Sequence, residues 1–239
     1  MKFLLPAKSL PVRLCALAFA TLMLSQSLQA VPIRVLAWND EVAARKLAIA
    51  DGKGSVIIEA MHPSKRTKPY HVAVGDKPIT IQALDKTGAD GKPAASAILI
   101  PQGTKLPLLL ILPDAKAASG LRLFVLDDDV AGFPWGGLRF INASGSKLGF
   151  VCEKKPVVLP VSWTPVLFNP GGDNRNMEVQ LFFVDQPAVP IYSAVWEQQQ
   201  EVRMLIFIVP SEDPRQGPVA LKMITEDRRI KEVPVPNPH

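Results

Sequence analysis

Two near-copies of one pattern, short apolar runs broken at close intervals by glycine, proline or aspartate, and 23 prolines scattered along 239 residues predict an all-β fold. The architecture expected is two tandem immunoglobulin-like β-sandwich domains. The copies are Leu108 to Asp129, LLLILPDAKAASGLRLFVLDDD, and Met204 to Asp227, MLIFIVPSEDPRQGPVALKMITED. In each, an apolar run ends in a proline (Pro113, Pro210), a polar turn follows, and a second apolar run closes on an acidic cluster. One residue inserted in the later turn aligns the rest, so that Leu108, Ile111, Pro113, Leu123 and Asp129 match Leu205, Ile208, Pro210, Leu221 and Asp227. The prolines argue against long helices and require strands that are short or that begin at proline.

Taken in order, Met1 to Ala30 has the layout of a secretory signal peptide: basic Lys2, Lys8 and Arg13, an apolar stretch from Leu14 to Leu24, then the polar SQSLQA. Cleavage is expected after Ala30, and the protein is expected to be exported, to the periplasm or the cell exterior. Val35 to Trp38 reads as the first strand. Asn39 or Asp40 can cap a short helical turn over Glu41 to Ala48, followed by a strand ending near Asp51. After the turn Asp51-Gly52-Lys53-Gly54 come SVIIEAMHP, KPYHVAVG and KPITIQALD, three strand-like runs, then Ala97 to Ile100 and the first copy of the repeat.

Asp127 to Gly137, DDDVAGFPWGG, lacks periodicity and holds the expected domain boundary. Beyond it LRFINASGSKLGFV reads as a hairpin around Ala143 to Ser146, KKPVVLPVSWTPVLF restarts the Lys-Pro-apolar opening seen at Lys77, and Asn169 to Asn176 is a strong turn cluster. Glu178 to Val184, Ile191 to Trp196 and the second copy complete the strands. The expected domains are residues 31–129 and 130–229, with 230–239 a proline-rich tail. One larger sandwich with pseudo-repeated halves is the rival arrangement.

Charge excludes some partners. Without Lys2, Lys8 and Arg13 the 27 basic residues fall to 24 against 22 acidic ones, about +2. The densest basic run, Lys65-Arg66-Thr67-Lys68, is short and reads as a solvated turn, so no nucleic-acid partner is expected. Outside the leader, no stretch approaches the ~20 apolar residues of a spanning helix. A single cysteine, Cys152, remains after the leader and reads as a small buried hydrophobe.

Chemistry-bearing motifs are scarce. His62 and His71 lack any HxH or HExxH spacing, and no GxSxG, SxxK or phosphate-binding glycine loop occurs. No cofactor is expected, and the protein is expected not to be an enzyme. Asp127 and Asp129, at the strand end that Asp227 echoes, are candidate cation ligands, since hard cations gather carboxylate oxygens on a loop; the competing reading is a solvated strand end. Asn142-Ala143-Ser144 fits a glycosylation acceptor. Trp135, with Phe133 beside it, is the candidate ligand contact, or else a plug between domains; Trp163 and Trp196 fall within strand patterns and are expected in cores.

These features point to a noncatalytic β-sandwich protein of the cell envelope with a binding, adhesion or structural role, its partner an envelope glycan or another envelope protein. The sequence carries no signal for oligomeric state. Export, two immunoglobulin-like domains and this length also resemble the periplasmic pilus chaperones, which would imply an assembly role by strand donation. That family's basic cleft pair and the signature before its interdomain strand cannot be placed on this chain. A third reading, an envelope glycan-active enzyme using two distant carboxylates, would draw on residues such as Glu59, Asp185 and Glu197.

Overall fold

In the computed structural model, which describes residues 29–230 apart from Lys53, sixteen strands form four four-stranded sheets. The expected signal peptide lies outside the described residues save for Gln29 and Ala30, which open the first strand, and the expected tail lies outside them save for Ile230.

The first eight strands are β1 (Gln29–Ala37), β2 (Leu47–Ala50), β3 (Ser55–Ile57), β4 (Tyr70–Val74), β5 (Ile79–Thr87), β6 (Pro93–Ile98), β7 (Pro107–Pro113) and β8 (Leu121–Asp127). They form two sheets ordered β4-β1-β7-β8 and β3-β2-β5-β6. The next eight are β9 (Leu138–Asn142), β10 (Leu148–Cys152), β11 (Lys155–Leu159), β12 (Ser162–Phe168), β13 (Arg175–Phe183), β14 (Pro190–Gln198), β15 (Val202–Pro210) and β16 (Val219–Asp227). Their sheets are ordered β12-β9-β15-β16 and β11-β10-β13-β14. Adding eight to each strand number converts the first pair of sheets into the second, so the repeat seen in two hairpins extends through both sandwiches. The expected fold class, tandem β-sandwich domains, is the one observed. In each, the leading strand runs parallel to its partner in the repeated hairpin: β1 to β7 and β9 to β15.

Each sandwich has its own core, and a third lies between them. Along β7, Leu109 and Ile111 face the first core while Leu108, Leu110 and Leu112 face the other way. Along β15, Ile206 and Ile208 face the second core while Leu205 and Phe207 face the other way. The second set meets Leu36, Leu126, Phe133, Ile141 and Ile224 in a shared interdomain core. The two inner sheets are therefore covered on both faces. This is why β7 and β15 read as unbroken apolar runs rather than alternating strands.

Local chemistry sets several joints. The short helix α1 (Asp40–Ala43) is capped by Asn39, whose side chain accepts from Val42 N at 3.0 Å, and β2 follows as expected. The β10–β11 hairpin turns through Glu153 and Lys154, both at positive φ (48° and 71°).

Three sequence expectations are corrected. Residues 138–152 are not a hairpin: β9 and β10 belong to different sheets, and Asn142 spans the arch by donating to Ser146 O and Leu159 O. With 3% exposure and its amide so used, Asn142 is no glycosylation acceptor. The run Lys65 to Lys68 is not simply solvated, because Arg66 turns inward and Thr67 is buried, its hydroxyl accepting from Val35 N.

Candidate functional site

The seam between the inner sheets presents two contrasting sides. One is closed by charge. Asp128, fully buried just past β8, receives Arg66 Nε at 2.8 Å and Arg66 Nη2 at 3.2 Å, is ion-paired with Arg34 of β1, and takes Arg203 Nη2 of β15 at 3.3 Å. Glu226 of β16 receives Arg34 Nη1 at 2.5 Å and Arg203 Nη2 at 2.6 Å, with Arg66 Nε at 3.4 Å. Arg34, Arg66 and Asp128 come from the first eight-strand half, Arg203 and Glu226 from the second, so the ion pairs cross the seam.

Burial alone pushes both carboxyls up in pKa, but the surrounding guanidiniums outweigh it and hold Asp128 and Glu226 below their ordinary values. Arg203 also donates to Asp128 O and Phe133 O, both at 2.9 Å, and its guanidinium lies 4.8 Å from the ring centroids of Phe133 and Trp135. The two aromatic residues singled out in the sequence thus meet around a buried arginine. Phe133 is fully buried and belongs to the interdomain core, while Trp135 is half-buried.

Asp127 and Asp129 flank Asp128 without joining it. Asp127 Oδ1 accepts from Leu106 N and Asp129 N, both at 3.3 Å, and Asp129 Oδ1 accepts from Ala131 N at 3.5 Å. Both carboxylates serve the backbone of the turn. Among the described residues no group of three or more His, Cys, Asp or Glu side chains is gathered as a metal would need.

The other side of the seam is open. A groove of about 400 Å³ runs between β8 and β12, the outermost strands of the two inner sheets on that side, lined chiefly by Phe124, Leu126, Asp127, Arg139, Trp163 and Leu167. Phe124 and Trp163 pack across the seam with ring centroids 5.1 Å apart. Trp163, expected in a core, instead stands at the rim of the interdomain core, half-buried. Trp196 is a core residue, with 8% exposure and its Nε1 donating to Tyr192 OH. A larger hollow of about 610 Å³ on the outer sheet of the second sandwich is lined by residues such as Glu153, Lys154, Glu178 and Gln180 and contains no aromatic ring.

Arg139 of β9 is among the residues that line the open groove. It is the counterpart of Arg34: Arg34 lies opposite Leu108 and Arg139 opposite Leu205, which are matched residues of the repeat. Glu226 is likewise the counterpart of Asp128, each preceding the matched Asp227 and Asp129. Their surroundings differ. Arg34 is held by two carboxylates, whereas Arg139, 6% exposed, donates to the carbonyl oxygens of Asp127 (2.5 Å) and Gly132 (2.8 Å) and lies over the Phe133 ring at 4.3 Å. Burial, the largest influence on it, draws its pKa below the ordinary value, opposed by the attraction of the nearby Asp128 and Asp127 carboxylates.

Among the described residues, the acids singled out in the sequence form no convergent pair. Glu59, Asp185 and Glu197 are exposed and stand on separate segments. Every carboxyl with a displaced pKa is displaced downward, opposite to what a general acid requires. Cys152 is buried against Met177, its Sγ 3.6 Å from Sδ, and burial raises its pKa, as fits a core thiol rather than a nucleophile.

Fold and site define a class: a tandem β-sandwich protein whose halves share a core and an ionic clamp, with an aromatic-lined groove along the unclamped side of the seam. No family model matches the chain, and no curated protein is similar to it in sequence. One solved structure, described as a "putative cell adhesion protein" from Bacteroides uniformis, covers 85% of this chain and 99% of its own at 8% identity and a TM-score of 0.25. A likeness that slight carries no argument about function.

Proposed function

We propose that the protein is an exported, noncatalytic envelope protein that binds its ligand in the groove between β8 and β12. The observation that carries this is the groove itself: concave, walled by Phe124, Trp163 and Leu167, with the largely buried Arg139 and the Asp127 carboxylate also in its lining. Apolar walls with a few fixed polar groups are what ligand sites are made of. The rigid support behind it, a shared core and an interdomain ion cluster, keeps that geometry in place without ligand. The signal-peptide layout read in the sequence of Met1 to Ala30 supports export. Trp135, buttressed on Arg203, belongs in this reading to the support rather than to the contact surface.

Thermal melting across a panel of soluble envelope glycans, peptidoglycan fragments and peptides tests the reading. A ligand at 100 times its dissociation constant adds about 2.7 kcal/mol to stability. The expected result is a shift that Trp163→Ala removes. A shift that survives in Trp163→Ala places binding elsewhere, and turnover of the ligand abolished by one carboxylate-to-amide change makes the protein an enzyme.

A further inference from the structure

We infer that residues 231–239 fold back along the free edge of β14 as an added antiparallel strand, with Lys231 opposite Glu197, Val233 opposite Val195 and Val235 opposite Ser193. The inference is independent of the groove between β8 and β12. Among the described residues, the main chain of 190–198 bonds only to β13. Its counterpart in the first sandwich, β6, is tied to the neighbouring β8, Ser96 Oγ donating to Leu121 O at 3.0 Å. β14 is nine residues long, carries no lysine or arginine, has its one proline at its first position, and leaves Val195 63% exposed. A long apolar edge of this kind invites pairing unless something covers it.

Three observations select the cover. The first is the direction of the free groups. Glu153 N donates to Glu178 O at 3.1 Å, so Glu178 turns its main chain toward β10. Val195, opposite Glu178 in the β13–β14 ladder, therefore turns its own away from β13, and by alternation Ser193 and Glu197 do the same. The second is the place where the described chain stops. β16 is followed by a turn in which Ile230 N donates to Asp227 O at 3.1 Å, and this turn is held against the residues after β14: Arg228 N donates to Glu201 O at 3.0 Å and Arg229 Nη2 to Gln199 Oε1 at 2.8 Å. A chain continuing from there along β14 starts at its Glu197 end and runs antiparallel to it. The third is the sequence Lys231-Glu232-Val233-Pro234-Val235-Pro236-Asn237-Pro238-His239. Successive residues of a strand point their main-chain groups to opposite sides, so the prolines at 234, 236 and 238 remove N–H groups from one side alone, while Lys231, Val233 and Val235 keep theirs on the other. Such a strand pairs along one edge and refuses a partner along the next, which is one way proteins close an exposed sheet. The register that sets Lys231 beside the Glu197 carboxylate also sets Val233 beside the exposed Val195, a charge match and an apolar match together. Pairing ends near Ser193, because the turn at Gly217 comes up to Ile191 O, 3.6 Å from where a Cβ on that glycine would lie.

Amide hydrogen exchange tests this, comparing the whole protein with a chain ended at Ile230 and with two point variants, each first shown to melt as a folded protein. The amides of Ser193, Val195 and Glu197 are expected to exchange about tenfold more slowly, or slower still, in the whole protein than in the shortened chain, and to do so at every protein concentration. Val233→Pro, which removes an N–H from the pairing side, is expected to lose that protection, and Pro234→Ala, on the other side, to keep it. Equal exchange in the whole and shortened chains, or protection that Val233→Pro leaves intact, overturns the inference. Protection that grows with protein concentration, together with a dimer in sedimentation, assigns the edge to a second copy of the chain and overturns it as well.

Discussion

Asp128 sits in a run of three aspartates that in sequence resembles a solvated strand end, yet it is fully buried with three guanidiniums on it. An extended chain sends adjacent side chains in opposite directions, so Asp127 and Asp129 stay at the turn while Asp128 enters the seam. The partners are far away in the chain, Arg34 by 94 residues and Arg203 by 75, which is why neither Arg66 nor Asp128 carried a legible signal. Removing one member of a buried ionic cluster leaves the others uncompensated, so Asp128→Asn is expected to cost about 3–5 kcal/mol in urea unfolding. A cost under ~1 kcal/mol would mean that the cluster is well hydrated. Asp128 and Glu226 both have folded-state pKa values below the unfolded ones. Their contribution is therefore fully present above the unfolded carboxylate values near ~4 and is lost as pH falls through the folded values. The melting temperature of the wild type is expected to fall steeply below about pH 4, and that of Asp128→Asn less steeply.

At the scale of elements, the sequence disclosed most where a strand's surroundings are uniform. The unbroken runs of β7 and β15, and the two hairpins they begin, were legible because both faces of each are apolar. The capped turn Asn39 to Ala43 was legible because its chemistry is local. The arch between β9 and β10 was not: a hairpin and an arch use the same turn residues and differ only in which sheet the second strand joins. What separates them is the buried Asn142 amide reaching Leu159 O, seventeen residues on. The β10–β11 turn holds a further consequence. Lys154 adopts φ 71°, a conformation that costs an L side chain ~1 kcal/mol or more, and its side chain is exposed. Lys154→Gly is expected to raise stability by about 0.5–1 kcal/mol. A loss of stability in denaturant titration would show that Lys154 makes a contact that outweighs its backbone strain.

At the scale of the molecule, the repeat is legible in sequence but the coupling of its copies is not, because the residues that join the halves lie on faces that an isolated sandwich would show to solvent. Leu110 and Phe207 are fully buried only because the two inner sheets meet, and Trp38 packs edge-on against Phe207 at 5.3 Å. Loss of the Phe207 ring is expected to cost about 3–5 kcal/mol and to act on both halves at once. The groove between β8 and β12 belongs to this scale too, since each half supplies one wall and neither has a site alone. The most direct test is scanning calorimetry of the whole chain. With a shared core and ionic clamp, the halves are expected to unfold in one transition whose calorimetric and van't Hoff enthalpies agree. Two separable transitions, each with the enthalpy of a single sandwich, would show that the halves are independent and that the seam groove lacks the rigid support this account gives it.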